Sequence, residues 1–232
     1  MSVMKGVRIQ RDLNRVARQN VICSLFHRLK RGFERNGRSW RNVEGERCEM
    51  NVYLREPSIS DAREFVGRSR ASLELHRPWV FPPTTPEGYR AYVERLEGAR
   101  YEGYFVCRKT DDAIVGAVNL SEIIRGAMDG AFVGYWGFEG FQGKGYMTQG
   151  LALVFDRAFD SLGLHRLEIN IQPANTASIA LARRLGLSKE GFSPKYLKIG
   201  GEWRDHERWA IVGEDWLSRG GSLWAANRSW ES

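Results

Sequence analysis

The chain has 232 residues, 42% of them hydrophobic and 12% aromatic, which is enough apolar material for one domain with a real core and excludes a disordered chain. Its formal charge of +7 is unevenly placed: residues 1–47 hold 12 Lys/Arg against 4 Asp/Glu, leaving 23 against 24 beyond them, so the body lacks the broad basic face of a nucleic-acid-binding domain. No apolar run approaches the roughly 18 residues of a membrane span, and Cys23, Cys48 and Cys107 form neither a disulfide framework nor a zinc pattern. A soluble, cytoplasmic protein with reduced thiols and no metal is expected.

In chain order, Ile9, Leu13, Val16, Ala17, Ile22, Leu25, Phe26, Leu29 and Phe33 recur at spacings of mostly three or four with Arg and Lys between them, predicting a basic amphipathic helix. Breaker residues at Gly32 and Asn36-Gly37 end it, and a linker runs to 47. Such a segment suits docking on ribosome, RNA or membrane, or organelle targeting; Met50, just before Val52-Tyr53-Leu54-Arg55, equally fits a later start of translation. One catalytic domain is expected over 48–218, with a tail over 219–232. The pattern does not decide between monomer and homodimer.

The body alternates strands and helices, the signature of an α/β or α+β domain. A strand is predicted over 50–55, a helix over 61–70 capped by Ser60, and a helix over 86–99 opened by Thr85 and Pro86. Strands over 102–108, 113–124 and 130–136 should form a meander. There follow a loop over 137–144, a helix over 145–162, a strand over 165–172, a helix over 176–185, and two strands joined at Gly200-Gly201.

The chemistry concentrates where a strand meets a helix through Gly140-Phe141-Gln142-Gly143-Lys144-Gly145-Tyr146-Met147. Glycines permit close approach of backbone to ligand, open amides at a helix start suit a pyrophosphate, and Lys144 adds a point charge. Neither GxGxxG nor GxxxxGK[ST] is present, which removes the best support for nicotinamide or nucleoside triphosphate binding.

Gln142 to Gly145 resembles the Arg/Gln-x-x-Gly-x-Gly/Ala motif of the GNAT acetyltransferase superfamily, with Met147 where most members carry Gly or Ala. The resemblance runs over about 50–216 and is to the Rim-type (RimJ/RimL-like) N-terminal alanine acetyltransferases of ribosomal proteins. It is carried by Asn119 to Gly126, Gly134-Tyr135, His165-Arg166, Pro173-Ala174-Asn175, Leu181 to Gly186, and Gly201-Glu202-Trp203-Arg204-Asp205-His206. It implies a mixed, mostly antiparallel sheet with helices on both faces, splayed between the fourth and fifth strands so that free backbone at Trp136 and Gly137 grips the pantetheine of acetyl-coenzyme A. Gln142, Gly143, Lys144, Gly145, Tyr146 and Met147 would hold the pyrophosphate. Asn175 matches an asparagine that reaches the pantetheine, and it also fits a helix cap.

Acetyl transfer needs a neutral amine, a polarised carbonyl and a donor that steadies the departing thiolate. The family's tyrosine donor, seven residues after the asparagine, is here Ala182; Ser178 matches a serine given this role in Rim-type relatives. On the strand 165–172, alternation places Glu168, Asn170 and Gln172 on one face, opposite Leu167, Ile169 and Ile171. Asn170 stands where one relative has a catalytic glutamate and can orient water, so Glu168 is the preferred carboxylate, with Glu122, Asp205 and His206 in reserve. The resemblance puts acceptor recognition at Arg77 to Phe81, where Trp79 and Phe81, with Asn119, would wall the groove; those aromatics also suit a core. The expected acceptor is a protein N-terminal α-amine, with a small amine such as a polyamine, aminoglycoside or amino acid as the alternative. A non-catalytic acyl-coenzyme A-binding module is a further one.

Overall fold

A computed structural model describes residues 50–222. The basic helix and linker expected before residue 48, Cys23, Cys48 and the end of the tail lie outside the described residues. Seven strands form one sheet in the order β1-β2-β3-β4-β5-β7-β6. They are β1 (Val52–Arg55), β2 (Glu102–Arg108), β3 (Ile114–Ile124), β4 (Gly130–Gly137), β5 (Arg166–Ile171), β6 (Ser188–Ile199) and β7 (Glu202–Val212).

Alternation along the strands sorts side chains onto two cores. One face packs Val106, Val118, Val133, Leu167 and Ile169 against α4 (Tyr146–Asp156), α5 (Thr176–Arg184) and α6 (Gly213–Ser218). The other packs Phe105, Ala117, Trp136 and Phe138 against Phe65 and Val66 of α1 (Ala62–Ala71) and Tyr89 and Tyr92 of α3 (Pro86–Arg95). Between α1 and α3 lies α2 (Leu73–His76), a single turn with too few residues to show a period. Cys107 is a buried free thiol.

Three boundaries differ from expectation for local reasons. Ser58, not Ser60, caps the first helical turn, because Asp61 stands three residues on and completes a reciprocal capping box. The helix opened by Thr85 ends at Arg95, before Gly98. The helix after Gly145 changes at Asp156 into a π-helical turn over Arg157–Ser161.

β4 and β5 run parallel and pair only over Gly130–Phe132 with Arg166–Glu168. Beyond Phe132, β4 continues along β3 to Gly137 while β5 continues along β7 to Ile171, so the two separate into an open wedge. All other strand pairs are antiparallel. β6 is an edge strand with most residues exposed.

Candidate active site

The wedge between β4 and β5 exposes backbone that no strand satisfies. Phe138 N donates to Val115 O, and in an antiparallel ladder alternate residues face the partner strand, so Trp136 points its backbone at Ala117 of β3. Val133, Tyr135 and Gly137 therefore turn theirs toward the wedge. Of the two residues expected to offer backbone there, Gly137 faces the opening and Trp136 does not. The carbonyl of Gly137 is already engaged: His76, 3% exposed, donates its Nε2–H to it across 2.8 Å.

At the top of β4 the chain turns through Gly140, Gly143 and Gly145, with φ of 84°, 71° and 74°. This left-handed backbone suits glycine, and Gly140 and Gly143 have open space where a side chain would stand. Gly145 is the N-cap of α4 and supplies no side-chain acceptor, so the first-turn amides are free to meet an anion. Gln142 bonds Glu139 at 2.8 Å, and Lys144 Nζ donates to Gly140 O at 2.8 Å, which braces the turn. Met147 is accommodated because its sulfur lies over Gly116; a Cβ at Gly116 would collide with it. The departure at Met147 is thus matched by a missing side chain on β3.

On the large-core side of the wedge, Asn175 caps α5 by accepting from Ser178 N at 3.1 Å through Oδ1. Ala182 is fully buried. Across β4, the phenol oxygen of Tyr135 is sealed from solvent and has no hydrogen-bond partner within bonding geometry among the described residues. Burial raises its pKa to about 12, and Ser178 offsets part of the rise. Tyr135 belongs to a Gly-Tyr pair visible in the sequence, but strand alternation alone does not reveal its neighbour on α5.

The opposite side holds the polar face of β5. Glu168 accepts from Arg166 Nε at 2.8 Å, and Arg166 also grips Glu190. Opposite charges at i and i+2 share a strand face, so this pairing was readable in the sequence. Asn170 Oδ1 is buried without a partner, opposite Arg208 of β7. Gln172 Nε2 donates to Trp79 O at 3.4 Å, and Phe81, 51% exposed, lies against Gly200 of the β6–β7 turn. The segment carrying Trp79 and Phe81 therefore roofs this face. Asn119, from β3, accepts from Tyr92 OH at 2.8 Å.

His206, on β7, is 3% exposed and faces the same side. Its Nδ1 donates to Arg204 O at 2.9 Å, and Tyr196 packs edge-on against it. Among the described residues Nε2 has no hydrogen-bond partner, yet it is not a sealed orphan atom. Burial lowers its pKa below the ordinary 6.5, only partly offset by the Arg204 carbonyl and Asp205. Of the other reserves, Glu122 is bound by Tyr101 OH at 2.6 Å and by Arg100, and Asp205 accepts from Lys195 N at 2.7 Å. Among the described residues no group of three or more His, Cys, Asp or Glu could hold a metal ion, and no helix is long and apolar enough to cross a membrane.

A wedge in a mixed sheet beside a glycine-rich helix start is the geometry expected from the resemblance, and comparison with known proteins agrees. The family model described as "Acetyltransferase (GNAT) domain" matches residues 51–188. The Bacillus subtilis protein YjcK, named a probable N-acetyltransferase, is 36% identical over 172 residues, covering 71% of this chain and 95% of its own. The [Ribosomal protein uS5]-alanine N-acetyltransferase of Escherichia coli is 33% identical over 135 residues, covering 56% of this chain and 70% of its own. Among solved structures, Mycobacterium smegmatis RimJ in complex with CoA-disulfide superposes with a TM-score of 0.69 at 26% identity, covering 75% of this chain and 87% of that one. The chain is a member of the GNAT acetyltransferase family, an N-acetyltransferase by fold and sequence.

Proposed function

We propose that this enzyme transfers acetyl from acetyl-coenzyme A to a protein N-terminal α-amine, of the ribosomal-protein-alanine type. The observation that carries the reading is the neutral character of the acceptor face. Glu168, its carboxylate, is neutralised by Arg166, Arg208 stands beside Asn170, and the remaining lining comes from Asn119, Asn170, Gln172 and His206. A polycation would seek unpaired carboxylates, whereas a peptide amine with its backbone N–H and C=O groups suits amides and an imidazole. The uS5-alanine relative supports the same class.

The donor's pyrophosphate would lie on the first-turn amides of α4 with Lys144, and its pantetheine along the wedge-facing backbone of Tyr135 and Gly137. The donor supplies the activated acetyl group. The protein's part is to present the amine unprotonated and to steady the sulfur. An α-amine, with a pKa near 8, needs only a modest base. Glu168 is paired with Arg166 through Oε1, so we assign proton removal to His206 Nε2, with Asn170 Oδ1 accepting the amine's other hydrogen. Ser178 is assigned to the sulfur side.

Thiol release with acetyl-coenzyme A tests the reading, using a peptide that begins with alanine beside polyamine, aminoglycoside and amino-acid acceptors. Turnover confined to the peptide supports it. Turnover confined to a small amine moves the enzyme to the alternative, and binding without turnover makes the chain an acyl-coenzyme A-binding module.

A further inference from the structure

We infer that Gly134 decides which acceptors the enzyme takes: it is a bare floor on which the carbon next to the reacting amine rests, so that the α-methyl of an alanine-first peptide lies where a side chain at 134 would stand. This deepens the N-terminal acetyltransferase reading and rests on it.

Gly134 lies in the middle of β4, the central strand of the seven, and is the one exposed residue of that strand. A glycine inside a strand forgoes side-chain packing and costs backbone entropy, and where one is kept a neighbour often closes on the space it leaves. Five of the six glycines in these strands have such a neighbour. Leu96 fills the place over Gly103, Met147 lies over Gly116 and against Gly137, the backbone of Arg166 closes on Gly130, and the guanidinium of Arg208 lies over Gly191. Above Gly134 no atom of the described residues comes within 4 Å of where a Cβ would be. Its φ is not among the left-handed ones, so the backbone makes no demand for glycine there. What this glycine supplies is room for something from outside the chain.

That room lies at the centre of the acceptor face. Asn119 of β3 pairs directly with Gly134, and residues directly opposite share a face of the sheet. On the other side Phe132 pairs with Glu168; two residues further along each strand, Gly134 and Asn170 share that same face across the opening wedge. Asn170 pairs in turn with Arg208, two residues from His206 on the same side of β7. Gly134 therefore stands between the backbone assigned to the pantetheine, at Tyr135 and Gly137, and the pair assigned to the amine, Asn170 and His206. A nitrogen that attacks a thioester on one side and yields its proton to the other carries its α-carbon over the residue between them. With an amide side chain on either flank and none in the middle, the floor accepts a small substituent on that carbon.

The experiment crosses the floor with the acceptor. Wild type and Gly134→Ala are assayed with two peptides identical except for a first residue of alanine or glycine, and both proteins are melted. Gly134→Ala should lower kcat/KM for the alanine-first peptide about tenfold, the effect of a methyl forced into filled space, while the glycine-first peptide stays within about threefold of wild type, because removing the methyl from the acceptor restores the room. KM for acetyl-coenzyme A should stay within about twofold. The thermal midpoint should rise by about 1–4 °C, since alanine in an unobstructed extended position loses less entropy on folding. Equal losses on the two peptides overturn the inference, as does no loss on either. A lowered midpoint overturns it too, because the added Cβ would then be meeting protein. A wild type that acetylates neither peptide but does acetylate a small amine sinks the peptide reading, and the floor is then judged by the same cross with that amine and its α-methyl homologue. A wild type that acetylates no amine overturns both.

Discussion

His76 and Gly137, 61 residues apart, are joined by a 2.8 Å hydrogen bond that links the turn before the acceptor roof to the end of the strand lining the wedge. His76→Phe fills the space but leaves the Gly137 carbonyl without its donor. It should cost about 1–3 kcal/mol in urea unfolding and weaken coenzyme A binding in calorimetry. A variant as stable as wild type that binds equally well would mean the bond positions nothing.

Acid should destabilise the protein through two histidines. Burial lowers the pKa of both His76 and His206 in the fold, so the unfolded chain binds more protons as pH falls through about 6.5, and stability is full above that value and declines below it. Asp156, raised by burial, acts with opposite sign and is common to all variants, so wild type and His206→Gln are compared at each pH. The acid-induced fall in midpoint temperature should be smaller in His206→Gln. The same protonation disables the assigned base, so kcat/KM should fall on the acid side more steeply than protonation of the amine alone requires, and His206→Gln should keep only the amine's own limb.

Gly145→Glu should abolish coenzyme A binding while the fold persists. Any Cβ at φ 74° costs about 1–2 kcal/mol, and the glutamate adds a negative charge at the helix start. Gly145→Ala, which has the strain without the charge, should bind with intermediate affinity in calorimetric titration.

The carboxylate of Asp156 accepts from Trp216 Nε1 at 2.7 Å and from Ser222 N at 3.0 Å. Ending the chain after Ser218 removes the second donor from a buried acid, whereas ending it after Ser222 keeps both. Thermal melts should place the shorter chain several degrees below the longer one; equal midpoints would show that residues 219–222 contribute nothing to the domain.

Much of this architecture could be read from local pattern. Leu167, Ile169 and Ile171 alternating with Glu168, Asn170 and Gln172 defined β5 and both its faces, Thr85-Pro86 marked a helix start, and Gly200-Gly201 marked the last hairpin. What pattern could not supply was contact at a distance. The bonds from His76 to Gly137 and from Gln172 to Trp79 join segments 61 and 93 residues apart, and nothing in either segment announces its partner. The exchange of Trp136 for Tyr135 at the wedge has a different origin. It depends on which residues pair narrowly with β3, a register that the sequence does not carry.

The open edge of the sheet has a consequence for life in a crowded solution. A strand of 12 residues whose outer side pairs with no strand among the described residues is a template on which another chain could grow a ribbon. β6 breaks its own regularity: Pro194 removes a donor, the ladder slips between Ser193 and Leu197 around Lys195 in a left-handed conformation, and Lys189 and Lys198 add charge along its length. Replacing those residues by alternating threonine and valine would straighten the rim, and the protein would then be expected to form β-rich aggregates that the natural sequence resists.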